Sequence, residues 1–343
     1  MNMNKPILID ALHICMGGGL MILNHLIDNI VEADVDVVLL KDSRCPALKS
    51  ESRLHKVEVL SSDNNTRNAY YRKHPDSFST VLCFGNIPPA IKLGVPVHTY
   101  IHNVSLLKIP SDYNISTKIK SYLKKLFIRH YAKNTDTWIV QTANTASLVR
   151  KHLASANQPI LEYPFYFVPE SINRVPFSER TDYIFVGECT MAKGHQYLVE
   201  AWVKLAQLGI DAPLHLTVED PDFSKEIELA CTKGANIINH GHIPFNEVVE
   251  LYNKCKATVY PSLNESLGLG IIEAAEAGCD VIGCDLPYIH CICHPSETFL
   301  PRDVETIVNA VMRYERTVAQ KTILSIKDKV KPFIKFLCQY SNL

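Results

Sequence analysis

The chain has 343 residues, 47% of them hydrophobic, with 35 Lys and Arg against 36 Asp and Glu. That length exceeds one ordinary core and fits two domains. The even charge balance excludes a global field able to hold a nucleic acid, leaving only local patches. The start, MNMNKPILID, lacks a long apolar run after a charged segment, and later apolar stretches are too short for a bilayer, so the expectation is a cytoplasmic protein. Eleven cysteines, an odd number set in apolar segments such as VLCF and KCKATV, read as reduced core residues rather than a disulfide framework.

In the first half, the short apolar runs PILIDAL, DVDVVLL, HKVEVL, STVLCF, VPVHTYI and TDTWIV alternate with amphipathic segments. Near-continuous apolar strands separated by helices predict a parallel sheet covered on both faces. The first run leads into Gly17, Gly18 and Gly19 and then an amphipathic helix, a place for anion-binding amides and close approach of a substrate. The spacing is not the GxGxxG dinucleotide fingerprint.

Further along, His102 in HTYIHNVSLL stands just past a strand, where an imidazole can donate to a ligand hydroxyl or assist proton movement. The segment NISTKIKSYLKKLFIRHYAKN, residues 114–134, carries Lys118, Lys120, Lys124, Lys125, Arg129 and Lys133 with no acid between them. Ile115, Ile119, Tyr122, Leu123, Leu126 and Phe127 share one helical face. Such a helix suits either an anionic membrane surface or a packed helix with a solvated basic face.

Residues 163–180, YPFYFVPESINRVPFSER, hold three prolines and little periodicity, which predicts an extended linker with a new strand starting at Asp182. The domain boundary is placed near residue 170, giving domains 1–170 and 171–343. TDYIFVG, PLHLTV, ANIINH, KATVYP and CDVIGC then repeat the strand pattern. The helical, lysine-rich stretch from Val304 onward can pack on either domain. In doubly wound sheets ligands sit at the carboxyl ends of strands, so two such domains are expected to face each other across a cleft.

In VGECTMAKGHQYLVEAW, residues 186–202, a strand is expected to end at Gly187 and a helix to begin after Lys193 and Gly194, placing a lysine where it can pair with phosphate. YPSLNESLGLGIIEAAEAG, residues 260–278, follows a strand and opens a helix at about Gly270. Glu265 falls in the loop and Glu273 in the first helical turn. Gly268 and Gly270 let the backbone approach a ligand, and free amides at the helix start suit a diphosphate and the negative charge on a leaving group. Cys279, Cys284, Cys291, Cys293 and His294 lie close in sequence, but the CxC pair lacks the spacing of common structural zinc sites, and no metal is expected.

The Glu265-SLGLGII-Glu273 segment resembles the E-x7-E signature of the family 4 retaining glycosyltransferases of the GT-B fold, and GHIPFNEVVELYNKCKATVYPS is similar to that family's approach to the motif. The resemblance implies two Rossmann-like doubly wound domains, with an N-terminal acceptor-binding domain and a C-terminal nucleotide-sugar domain. It implies that Glu265 lies beside the donor sugar, that Glu273 binds the nucleotide ribose, and that Gly187, Lys193, Ser266, Leu267, Gly268, Leu269 and Gly270 surround the donor. The family places an Arg after the glycine of the first motif, where this chain has Glu188. A comparable glycine-rich loop and a functional histidine in the family's N-terminal domain correspond to Gly17–Gly19 and His102.

The same resemblance implies metal-independent transfer of a sugar, with retention, from a nucleotide-diphosphate sugar to a glycan acceptor. No cofactor is expected. Membrane-acting members use the region matching residues 114–134 to reach lipid-linked acceptors, so surface-polysaccharide or O-antigen assembly at the inner membrane face is the expected setting. Two rival readings use the same architecture: a non-catalytic nucleotide-sugar-binding subunit, suggested by Glu188, and an epimerase.

Overall fold

The computed structural model describes residues 5–109, 114–167, 175–316 and 320–340. The chain divides into two compact units, Met1–Phe167 with Lys327–Leu343, and Val168–Ile326. The boundary placed near residue 170 falls outside the described residues.

Unit 1 is built from β1 (Ile7–Ala11), α1 (Gly17–Glu32), β2 (Val37–Asp42), β3 (Lys56–Leu60), α2 (Asn64–Lys73), β4 (Val81–Cys83), β5 (Val97–Ile101), α3 (Ile115–Tyr131), β6 (Thr137–Val140), α4 (Ala143–His152) and β7 (Ile160–Glu162). Unit 2 continues with β8 (Asp182–Phe185), α5 (His195–Gln207), β9 (Leu214–Leu216), α6 (Pro221–Thr232), β10 (Ile237–Asn239), α7 (Phe245–Lys254), β11 (Cys255–Tyr260), α8 (Leu269–Glu276), β12 (Asp280–Cys284), α9 (Pro287–Ile292), β13 (Cys293–His294), β14 (Glu297–Phe299), α10 (Val304–Arg316) and β15 (Ile323–Leu324). A last helix, α11 (Val330–Cys338), belongs to unit 1.

Both main sheets are parallel throughout. Unit 1 runs β3-β2-β1-β4-β5-β6-β7 and unit 2 runs β10-β9-β8-β11-β12-β14. In each, the first strand sits mid-sheet, and the winding direction reverses beside it, between β1 and β4 and between β8 and β11. Every residue of β1, β2, β5 and β12 is buried, as expected of strands covered on two faces. The helices supply the cover: α1 buries Ile22, Leu23, Leu26, Ile27 and Ile30 along one stripe. Full burial of each such side chain stabilises by about 1.5–3 kcal/mol.

Four short strands depart from the sequence reading. β7, β14 and the β13–β15 pair have two or three residues each, too few for periodicity to register. The first part of the expected linker is not free: Phe165 is fully buried and stacks on Phe84 and Phe333, while Lys329 donates its main-chain N–H to Pro164. Tyr163 and Phe165 thus pack against Phe333 of α11, while Phe167 is exposed. The cysteines are all free, but Cys231 is exposed and Cys15, Cys189, Cys291 and Cys338 are half-buried, so fewer than expected are core residues.

One buried ion pair ties unit 1 together. Arg67 on α2 donates from Nε to Asp10 Oδ2 at 2.6 Å, from Nη1 to Pro88 O at 3.0 Å and from Nη2 to Ile87 O at 2.9 Å, and Tyr71 also donates to Asp10. Arg67 is 2% and Asp10 1% exposed. The guanidinium therefore fixes the loop after β4 relative to β1. Asp10→Ala leaves a buried cation uncompensated and is expected to cost about 3–5 kcal/mol, read as a lowered midpoint of thermal unfolding of the full chain.

Candidate functional site

In unit 2 the two motifs meet because β8 and β11 are neighbours at the reversal of strand order. β8 ends at Phe185, short of the expected Gly187, and its loop runs to Lys193 and Gly194. Gly194 has φ +73°, and a Cβ on it would stand 2.7 Å from Pro261 O, so only glycine lets the loop after β8 lie against the loop after β11. Leu263 N donates to Ala192 O at 2.8 Å across the same seam.

That contact brings Lys193 Nζ to 2.5 Å from Glu265 Oε1, and Tyr260, the last residue of β11, donates its hydroxyl to the same oxygen at 3.2 Å. Lys193 also lies 5.9 Å from the centre of the Tyr260 ring. The side chains of Lys193 and Glu265 are 25% and 12% exposed, so the pair is only partly screened.

α8 begins at Leu269, with Gly268 as its N-cap at φ +65° and no side-chain cap; α5 begins on Gly194 in the same manner, and α1 likewise starts uncapped at Gly17. Their first amides are therefore not consumed by a capping side chain. Leu267 is buried, while Gly187, Ser266, Leu269 and Gly270 are half-buried.

Glu273 corrects the sequence reading. It lies in the second turn of α8, not the first, and is only 7% exposed. The helix starts earlier than Gly270, which carries Glu273 inward. Burial pushes its pKa up to about 7, with the Lys193 charge and a hydrogen bond to Tyr252 pulling the other way. Glu188 is exposed, with its side chain at the surface.

In unit 1, His102 follows β5 directly. Asn86, 6% exposed and with φ +66°, accepts at Oδ1 from His102 N at 2.7 Å and from Asn103 N at 3.0 Å. Two main-chain donors fix which end of the amide is oxygen, so Nδ2 faces His102 Nε2 at 2.9 Å and must donate to it. The imidazole is thereby held neutral with its proton on Nδ1. Burial pushes its pKa down to about 4, the influences in the other direction being main-chain hydrogen bonds of Phe84 and His102 itself. Its ring packs on Phe84 at 5.5 Å and Tyr100 at 6.1 Å between centroids.

The glycine loop reaches the same place. A Cβ on Gly19 would meet His102 Cε1 at 3.0 Å, so the third glycine is the one that touches the ring, while Gly17 and Gly18 are exposed. Asn86, Tyr252 and Tyr260 do not stand out in the sequence. For Asn86 the available signal is an asparagine right after the glycine that follows an apolar run, a residue that tolerates positive φ; the tyrosines look like ordinary core residues.

The segment at 114–134 forms α3 and a 3-10 turn, Ala132–Asn134. Ile115, Ile119, Tyr122, Leu123 and Leu126 are exposed, by 42–78%, and only Phe127 of the six apolar residues packs against the core beside the buried Ile128. No helix among the described residues is long and apolar enough to cross a membrane. Among the described residues, no group of three or more His, Cys, Asp and Glu could hold a metal ion.

Residues 169–316 match the sequence model of the family "Glycosyl transferases group 1". This segment is therefore similar to a group 1 glycosyltransferase domain. The matched segment contains Lys193, Glu265 and Glu273. The O-antigen chain mannosyltransferase RfbU of Salmonella typhimurium is 29% identical over 99 residues, 26% of this chain and 28% of that enzyme, so the match spans little more than a quarter of the relative's length.

Among solved structures, sucrose-phosphate synthase from Thermosynechococcus elongatus aligns with a TM-score of 0.71 at 16% identity, covering 91% of this chain and 90% of that one. WaaG, a glycosyltransferase involved in lipopolysaccharide biosynthesis, aligns with a TM-score of 0.67 at 18% identity over 98% and 94%. The lipopolysaccharide outer core galactosyltransferase WaaB aligns with a TM-score of 0.63 at 14% identity over 90% and 89%. These likenesses establish the fold, an α/β chain of two parallel-sheet Rossmann-like units.

The buried groups have two measurable consequences. Since folded Glu273 holds its proton up to about pH 7 and unfolded glutamate releases it near 4.5, the folded chain binds more protons across that window and its stability falls as pH rises through it. Glu273→Gln removes this dependence and should gain up to about 3 kcal/mol relative to wild type between about pH 4 and about pH 8, by urea unfolding. For His102, 15N imidazole shifts should report the Nδ1–H form down to about pH 5, and Asn86→Asp, which replaces the donor by a carboxylate, should raise its pKa by more than about one unit.

Proposed function

We propose that the protein is a retaining glycosyltransferase that moves a sugar from a nucleotide-diphosphate sugar to a glycan acceptor, without metal or cofactor. What carries this reading is the Lys193–Glu265 pair beside the uncapped start of α8. A diphosphate brings two negative charges to a place that offers a lysine and free helix amides, and it competes with Glu265 for Lys193. Once displaced from the lysine, Glu265 is released to contact the donor sugar. The leaving diphosphate gains charge as its bond to the sugar breaks, and the same lysine and amides stabilise it there. The acceptor hydroxyl enters on the face from which the diphosphate departs.

Glu273 is read as the ribose anchor. With a pKa near 7 it can donate or accept toward a hydroxyl at neutral pH. Gly187, Ser266, Leu267, Gly268, Leu269 and Gly270 supply main-chain contacts to the donor. In unit 1, the Gly17–Gly19 loop and His102 are read as acceptor-side groups. With Asn86 on Nε2 and the Phe84 main chain also bonded to the ring, the neutral imidazole is read as an ordered wall of the acceptor side rather than a proton acceptor. The exposure of Glu188 supports the family-like phosphate site despite the missing arginine, because an acid directed to solvent is screened from phosphate.

The acceptor is read as lipid-linked, in surface-polysaccharide or O-antigen assembly, with the exposed apolar row and cations of α3 resting on an anionic membrane surface. The names of RfbU, WaaG and WaaB support the setting. In this reading the protein is cytoplasmic and peripheral at the inner face.

Thermal unfolding against a panel of UDP-, GDP- and ADP-sugars should show one donor raising the midpoint by mass action, and no shift with any of them would overturn the reading. Glu265→Gln should abolish sugar transfer, yet tighten binding of the free nucleoside diphosphate by about fivefold because Lys193 is no longer neutralised. A non-catalytic binding subunit would instead keep pathway output when Glu265 is replaced.

A further inference from the structure

A cavity of about 340 Å³ opens between α3 and α4 in unit 1. Its polar wall is Lys125 and Arg129 from α3 with Lys151 and His152 from α4, and Tyr122 and Leu126 give it an apolar side. Among the described residues none of these three cations has a carboxylate partner, although Lys125 Nζ donates to Leu107 O at 2.5 Å. An adjoining cavity differs: it carries Asp136, whose Oδ2 accepts from Val97 N.

The four groups act on one another. Burial, then Arg129 and Lys151, hold the Lys125 ammonium below its usual value, and burial, then Lys125, Lys151 and Arg129, do the same to His152. A helix C-terminus accounts for the cations at the end of α4, since its last carbonyls favour positive charge. The last turn of α3 accounts for Arg129 in the same way, but not for Lys125, which sits inside α3 and still lines the same space. Converging cations around a bounded cavity repel, and an anion in the middle removes that cost.

We propose that this cavity binds a phosphate group, with Arg129 as the bidentate donor, Lys125 and Lys151 as point charges and His152 as a fourth donor. A planar guanidinium fits two phosphate oxygens at once, and the space exceeds a bare phosphate, so the ligand is a phosphate ester or diphosphate whose remainder lies on Tyr122 and Leu126. A soluble phosphate ester and a lipid headgroup share this chemistry. The site uses α4 as well as α3, lies wholly in unit 1 and stands independently of the sugar-transfer reading, so either can fail alone.

The test tracks the His152 ring by NMR in the full-length protein, titrated with pyrophosphate. A saturable rise in the His152 pKa is expected, with affinity falling about tenfold or more in Arg129→Gln combined with Lys151→Gln. Both residues are exposed, so their loss spares the fold. Lys118→Gln with Lys120→Gln removes equal charge from α3 outside the cavity and should leave the pyrophosphate response unchanged. Vesicles of phosphatidylcholine with and without phosphatidate separate the sources: a stronger response on phosphatidate assigns a lipid headgroup, and a response to pyrophosphate alone assigns a soluble ester. No His152 response to either probe, or an equal loss in the Lys118 and Lys120 variant, overturns the proposal.

Discussion

The close contact of the loops after β8 and β11, at Gly194 against Pro261, is the constraint on which the chemistry of unit 2 depends. Lys193 and Glu265 are far apart in sequence and touch because the sheet reverses its winding between those two strands. At such a reversal the loops above neighbouring strands diverge to opposite faces and leave a crevice, which is where α/β sheets hold ligands. Any side chain larger than hydrogen at residue 194 would push the loops apart and separate the ion pair.

Burial then decides the state of each titratable group. Glu273 and His102 are both moved toward their neutral forms, each beside different neighbours. For the carboxyl, burial outweighs a nearby lysine. For the imidazole, burial is again the largest influence, and in addition an asparagine amide whose orientation is dictated by two main-chain N–H groups presents a donor to the ring, where a second proton would set donor against donor. The buried Arg67–Asp10 pair fixes Ile87 and Pro88, immediately after Asn86, so the clamp on His102 rests on the deepest electrostatic contact of unit 1.

The positive charge of α3 has a different logic. The chain is almost neutral overall, so its cations matter through local arrangement. One set lines the cavity shared with α4, and others lie along a helix whose apolar side chains are exposed. Charge gathered next to uncovered apolar surface is the local arrangement on which both the proposed phosphate site and the proposed membrane contact rest.

The sequence by itself determined the architecture and the motif positions. Unbroken apolar runs announced parallel strands, and the glycines and acids of residues 260–278 marked a strand-to-helix turn, because these features depend on neighbours in the chain. It missed β7 and β14, which are too short for periodicity, and the burial of Phe165, which depends on Phe84 and Phe333 from distant segments. Only the tertiary structure decided that Lys193 pairs with Glu265, that Glu273 is buried, that Asn86 sets the proton of His102, and that Lys151 and His152 join the cations of α3. Pairing and desolvation are properties of contacts between elements, and the order of residues along the chain does not carry them.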